Sequence, residues 1–136
     1  MYRLCVFAGT REGRELIEFL GSQKVFVTAC VATEYGEALL PAAENVTVSA
    51  RRLPVREITG MLKENAFDLV IDATHPYAAS VTGSIASACE STGTEYLRLL
   101  REASALPEDA VYVENAAAAV SFLNTVEGNV LLTTGS

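Results

Sequence analysis

The sequence predicts an α/β fold, a Rossmann-like doubly wound parallel sheet with helices on both faces, and three observations predict it. Short apolar runs alternate along the chain with segments whose apolar residues recur at helical spacing. The run Phe67-Asp-Leu-Val-Ile71 is too apolar to leave either face in water, the habit of a strand covered on both sides. Glycine-bearing or polar turns follow the strands directly, at Gly9 and at Asp72, on the side where open α/β sheets bind ligands.

The elements follow in order. Residues 4–8 form the first strand, and Gly9-Thr-Arg-Glu-Gly13 is a turn. Leu16, Ile17, Phe19 and Leu20 then recur at helical spacing until Gly21 stops the pattern. Residues 25–32 are a β-branched, apolar second strand. Residues 33–36 form a loop and 37–40 a short helix ended by Pro41. Residues 45–49 alternate weakly as a third strand. Pro54 suits the first helical position, and Val55, Ile58, Met61 and Leu62 give the next helix its apolar face up to Asn65.

The fourth strand covers residues 68–73. The small-residue helix 78–91 follows, with Val81, Ile85 and Cys89 on one stripe and Gly93 at its end. Residues 96–100 form a fifth strand, 111–113 a short one, 116–123 a helix and 130–133 a last strand. Right-handed crossovers put helices on both faces, and the strand order 3-2-1-4-5 is expected because it creates a switch point between the first and fourth strands. That order sets the turns at Gly9 and Thr74 against each other across one crevice.

With 136 residues, half of them hydrophobic, the chain suffices for one domain with a real core, placed at residues 1–128. Residues 130–136, Val-Leu-Leu-Thr-Thr-Gly-Ser, echo the first strand running into its turn. Residues 129–136 are therefore expected to open a truncated second half or to add a final strand. Acidic residues outnumber basic ones 17 to 10, a net charge of −7, which argues against a nucleic-acid partner. The arginines nevertheless cluster, as Arg11 with Arg14, Arg51 with Arg52, and Arg98 with Arg101, so a local anion site is open to the chain. Cys5, Cys30 and Cys89 have no CxxC spacing and are expected to be inert buried thiols. With neither a signal peptide nor a transmembrane run, the expected location is cytoplasmic, away from membranes.

Two turns carry the chemistry. A glycine lets the backbone pass close to a phosphate, and the helix after it offers free N–H groups and the positive end of its dipole. Gly9, Thr10, Arg11 and Glu12 belong to such a turn, with Thr10 a hydroxyl donor and Arg11 or Arg14 a cation. A plain tight turn with solvated charges is the other reading. Glu34 follows the second strand where an acid would hold a ribose diol, or it is simply solvated. Thr33 and the pair Arg51-Arg52 are the alternative, as receivers of a 2′-phosphate.

The second turn, Asp72-Ala-Thr-His-Pro-Tyr77, holds the only histidine. His75 is a candidate acid, substrate ligand or cofactor clamp at a strand end beside a turn-fixing proline, although a lone histidine is commonly structural. Thr74 and Tyr77 are candidates for ligand contact, and Tyr77 alternatively caps the core. Asp72 is expected to orient the loop through backbone hydrogen bonds. Arg98 is expected to form a surface salt bridge. One histidine without CxxC supplies no metal site, and there is neither GxSxG nor a Cys–His pairing for nucleophilic catalysis.

Gly9-Thr-Arg-Glu-Gly-Arg14, Asp72-Ala-Thr-His-Pro-Tyr-Ala78, Tyr96-Leu-Arg-Leu with Arg101, Arg52-Leu53 and the terminal Leu132-Thr-Thr-Gly-Ser136 together resemble the precorrin-6A reductase family of cobalamin biosynthesis. The resemblance covers essentially the whole chain, and the Thr-His-Pro-Tyr-Ala string is its specific part. It implies an NADPH-dependent oxidoreductase, with NADH not excluded, that reduces a double bond of precorrin-6A or its cobalt form. Such enzymes are built of two Rossmann-like halves, so a corrinoid substrate and a missing second half are the implied partners. It places Gly9, Thr10, Arg11, Glu12, Thr33, Arg52, Thr74 and His75 at the cofactor, with His75 and Tyr77 as catalytic candidates.

A dinucleotide-binding or regulatory module that reduces nothing is the competing class. A short-chain dehydrogenase needs Tyr-x-x-x-Lys, and none of the five tyrosines has a lysine four residues later. A receiver domain needs acids at the first strand's end, where Gly9 and Thr10 stand.

Overall fold

The structure, a computed structural model, describes residues 1–102 and 105–133. By internal contacts the chain forms two units, Met1–Glu102 and Ala103–Ser136.

The first unit is the sheet and its helices: β1 (Tyr2–Ala8), α1 (Arg11–Gly21), β2 (Val25–Val31), α2 (Glu34–Ala38), β3 (Val46–Ala50), α3 (Val55–Asn65), β4 (Leu69–Ala73), α4 (Ala79–Thr92) and β5 (Glu95–Arg98). The five strands are all parallel, in the expected order β3-β2-β1-β4-β5. β1 shows why its apolar run forms a central strand. Cys5 and Phe7 pack into a cluster with Ile58 and Leu62 of α3 and Ile85 of α4. The alternate residues Leu4, Val6 and Ala8 pack with Ile17 and Leu20 of α1. With a period of two, both faces are covered. Ile17, Ile58 and Ile85 lose all contact with water, each worth about 2 kcal/mol of burial.

Several boundaries differ from expectation for local reasons. The helix expected at 37–40 begins at Glu34, because Thr33 Oγ1 accepts the Gly36 N–H at 3.1 Å and caps it earlier. Pro54 caps α3 from outside instead of occupying its first turn. Phe19 lies outside the core at 62% exposure, and the buried stripe of α1 is Gly13, Ile17 and Leu20. Val81 is likewise off the buried face of α4, which is Ile85, Ala88 and Cys89. Asn45 joins three chain segments, its amide donating to the carbonyls of Leu20, Gln23 and Val25. All three cysteines are buried and free, and burial with the nearby Asp72 charge pushes the Cys89 thiol up to about 11.

In the second unit the described residues contain α5 (Ala116–Leu123), where it was expected, capped by Asn115 Oδ1 accepting the Ala118 N–H at 2.9 Å. The strands expected at 111–113 and 130–133 are not formed. Such short apolar runs become strands only against a partner edge, and the described residues of the second unit form no strand to supply one. Residues 134–136 of the expected terminal turn lie outside the described residues. No helix among the described residues is long and apolar enough to cross a membrane.

Candidate functional site

β1 and β4 end side by side, Ala8 opposite Ala73, so the turns after them meet as the strand order requires. A Cβ placed on Gly9 would stand 3.5 Å from Thr74 Cα, ordinary contact between two backbones. Gly13 is the stricter position: a Cβ there would come within 2.9 Å of Ala73 Cβ. The first turn of α1 reaches the end of β4 only because residue 13 has no side chain, the role of the last glycine in dinucleotide-binding turns. Thr10 locks the same joint. Its hydroxyl donates to Ala73 O at 2.9 Å and accepts the Gly13 N–H at 3.2 Å, capping α1.

Two clefts open at this end of the sheet and share Ala8, Val31 and Ala32. The first, about 370 Å³, lies between the ends of β1 and β2 and is lined by Gly9, Thr10, Arg11, Arg14 and Thr33, among others. The second, about 600 Å³, has Phe7 and Ile58 on its apolar wall, with Arg51, Arg52, Thr74 and Ser80 also lining it. Neither is lined by an acidic residue, although the chain carries a net charge of −7, while a neighbouring cleft that shares Arg11 and Arg14 with the first is lined also by Glu15 and Glu18. Arg11 pairs with Glu15 and Arg51 with Glu57, both in exposed ion pairs. Arg14 and Arg52 make no ion pair among the described residues.

The sequence-predicted residues therefore divide. Gly9, Thr10, Arg11 and Thr33 line the first cleft, Arg52 and Thr74 the second. Glu12 lines neither. Both its carboxylate oxygens accept from Arg101, from Nε at 2.8 Å and Nη2 at 3.2 Å, and these bonds hold its pKa at about 2. At the start of α1 a bare carboxylate would compete with an incoming anion for the helix dipole, and Arg101 cancels that charge. Glu34 is exposed and lines neither cleft.

His75 and Tyr77 are exposed on the second turn and line neither cleft; Tyr77 at 92% exposure does not cap the core. Their rings lie 5.2 Å apart, and the Tyr77 N–H donates to His75 Nδ1 at 3.3 Å. An accepting Nδ1 leaves Nε2 to carry the proton of the neutral imidazole.

Beneath that turn is an arrangement the sequence did not disclose. Asp72 is fully buried, and its Oδ1 accepts the Thr74 N–H (3.0 Å), the Thr74 hydroxyl (2.7 Å) and Arg98 Nη1 (2.7 Å). Its Oδ2 accepts the Tyr96 hydroxyl at 3.1 Å. Burial, then the Asp72 charge, pushes the Tyr96 phenol up to about 12. Asp72 thus orients the loop as expected, but Arg98 is no surface salt bridge: the pair's side chains are 17% and 0% exposed. Asp72 and Arg98 stand opposite each other on adjacent strands, a cross-strand pair of opposite charge. That opposition is set by the register of β4 and β5, which sequence spacing does not supply.

Fold and crevice together define a class: a Rossmann-like α/β domain with arginine-lined clefts at the carboxyl ends of its strands. Over residues 3–136 the chain matches the family model described as precorrin-6x reductase CbiJ/CobK. It belongs to that family of cobalamin-biosynthesis reductases. It is 36% identical over 134 residues to a cobalt-precorrin-6A reductase of Salmonella typhimurium, an alignment covering 96% of this chain and 51% of the relative. A cobalt-precorrin-6A reductase of Methanothermobacter thermautotrophicus is 37% identical over 112 residues, covering 79% and 36%. The solved structure of CobK precorrin-6A reductase superposes with a TM-score of 0.73 at 28% identity, over 89% of this chain and 48% of that one. The chain thus spans about half the length, or less, of these relatives.

Proposed function

We propose that this chain supplies the cofactor-binding half of an NADPH-dependent precorrin-6A reductase, acting on precorrin-6A or its cobalt form. The observation that carries the proposal is the pair of adjoining clefts, lined by arginines and by no carboxylate, at the carboxyl end of the sheet. A dinucleotide fits this donor set. The glycine turn allows close backbone approach, and the first turn of α1 presents its dipole end. Arg14 is free of any acidic partner among the described residues to receive the diphosphate. The Thr10 hydroxyl already donates to Ala73, so it shapes the turn instead of donating to the phosphates.

Arg52, with Arg51 beside it, would receive a 2′-phosphate, and Thr33 stands at the rim of the first cleft. Exposed Glu34, outside both clefts, is poorly placed for the ribose diol that NADH would offer. NADPH is therefore the preferred cofactor, and it supplies the hydride when bound. The residues of the chain bind and orient. Thr74 lines the cleft wall, and His75 stands on the exposed turn. Its neutral form, with Nδ1 accepting from Tyr77, would offer Nε2–H as a hydrogen-bond donor, and only its imidazolium form would deliver a proton. Tyr77 braces that ring through its backbone N–H.

A second half like that of the relatives completes the site in this proposal, with the carboxylate-rich macrocycle as its substrate. Turnover by the full-length enzyme carrying His75→Ala tests the proton role, and a near-normal rate eliminates it. NADPH binding without any corrinoid reduction by the two halves together would instead mark a regulatory module.

A further inference from the structure

We infer that Asp72 and Arg98 are positioning residues that hold the turn carrying His75, acting on the imidazole through the backbone and touching no ligand themselves. The inference rests on the reading of the crevice as a reductase site. A buried ion pair is weak evidence for stability, because desolvating two charges offsets much of their attraction. The surroundings offer an apolar alternative, since Phe7, Val70, Ile85 and Cys89 form the cluster on this face of the sheet. What distinguishes the pair is where its hydrogen bonds go.

Asp72 Oδ1 takes both the N–H and the hydroxyl of Thr74, the first residue after β4. Arg98 Nη1 reaches the same hydroxyl at 3.0 Å, and Nη2 reaches the His75 carbonyl at 3.5 Å. The Ala78 N–H donates to that carbonyl at 2.9 Å and closes the turn. Thr82 of α4 approaches the Thr74 hydroxyl at 3.3 Å. A planar guanidinium spans the carboxylate, the hydroxyl and the carbonyl from two nitrogens held in one plane, whereas an ammonium offers its donors from a single point. With Thr74 and the His75 carbonyl fixed, the Tyr77 N–H meets Nδ1 and the imidazole is held in one orientation.

His75 is the only histidine of the chain, so its ring can be followed without ambiguity. The test is a pH titration by nuclear magnetic resonance of the chain and its Arg98→Lys variant, following the Tyr77 amide proton as the imidazole protonates. Protonation removes the acceptor at Nδ1, so in the native chain this resonance moves with the ring. In Arg98→Lys, which retains the charge and loses the fork, the movement falls to half or less while the methyl resonances of Ile17 and Ile58 stay in place. Thr74→Val keeps the ion pair, removes the hydroxyl link, and serves where Arg98→Lys does not fold. An unchanged Tyr77 titration in the folded variant overturns the inference, as does a general shift of the core methyls. This readout uses no cofactor, so a failure of the native chain to bind NADPH would overturn the reductase reading separately.

Discussion

The turns after β1 and β4 sit at the ends of neighbouring strands, yet they are built on opposite principles. The turn after β1 is held by sterics and a cap: Gly13 against Ala73, and Thr10 between them. Its charges are on the outside, with Glu12 and Arg11 in exposed pairs and Arg14 unpaired among the described residues. The turn after β4 is held from below by the buried Asp72–Arg98 pair, and it carries His75 and Tyr77 outward. A glycine joint suits a place where backbone must approach a ligand closely. A buried charged network suits a place where one side chain must keep its direction.

The largest effect expected from breaking this contrast is in the β4 turn. Arg98→Met leaves Asp72 buried without its cation and should cost about 3 kcal/mol, measured by urea unfolding. A loss under about 1 kcal/mol, the scale of an exposed pair, would mean that water reaches Asp72. Next comes Gly13→Ala. Its methyl meets Ala73 Cβ at 2.9 Å, and overpacking of this kind should cost about 1–2 kcal/mol in spite of alanine's better helix propensity. Gly9→Ala, with 3.5 Å available, should stay within about 0.5 kcal/mol of the native chain. Equal losses at the two glycines would erase the distinction between them.

Smaller again is the pH response of the β1 turn. The Glu12 carboxyl is held at about 2, below its ordinary 4.5, chiefly by hydrogen bonds from Arg101. A depressed folded-state pKa contributes stability that is fully present above 4.5 and is lost as pH falls toward 2. In Arg101→Gln the Glu12 titration, followed by carboxyl carbon resonance, should return to near 4.5. The smallest effect belongs to Arg11→Gln, which removes an exposed pair four residues apart worth about 0.3–0.5 kcal/mol.

The sheet was legible because alternation and apolar runs report burial directly: β1 and β4 lie where their residues require, and the strand order is the one that makes a switch point between them. The short helix α2 was misplaced because a single hydroxyl, Thr33, decides where it starts. At the site, sequence spacing picked out the exposed groups, His75 and the arginines, whose chemistry is visible in a residue type. It could not supply register or distance. Arg98 looked like a surface cation until its opposition to Asp72 across two strands was known. Glu12 meets Arg101 from 89 residues away, a pairing that only the fold creates. Gly13 matters because of an ångström-scale separation from Ala73 that no motif states.

The most direct test of the proposed anion crevice is calorimetric titration of NADPH and NADH into the chain and into Arg14→Gln. An arginine-lined crevice predicts saturable NADPH binding, tighter than NADH. Arg14→Gln should bind NADPH about tenfold more weakly, the scale of one charge-assisted hydrogen bond, with unfolding unchanged. Absence of binding by either nucleotide, or NADPH binding indifferent to Arg14→Gln, would contradict it.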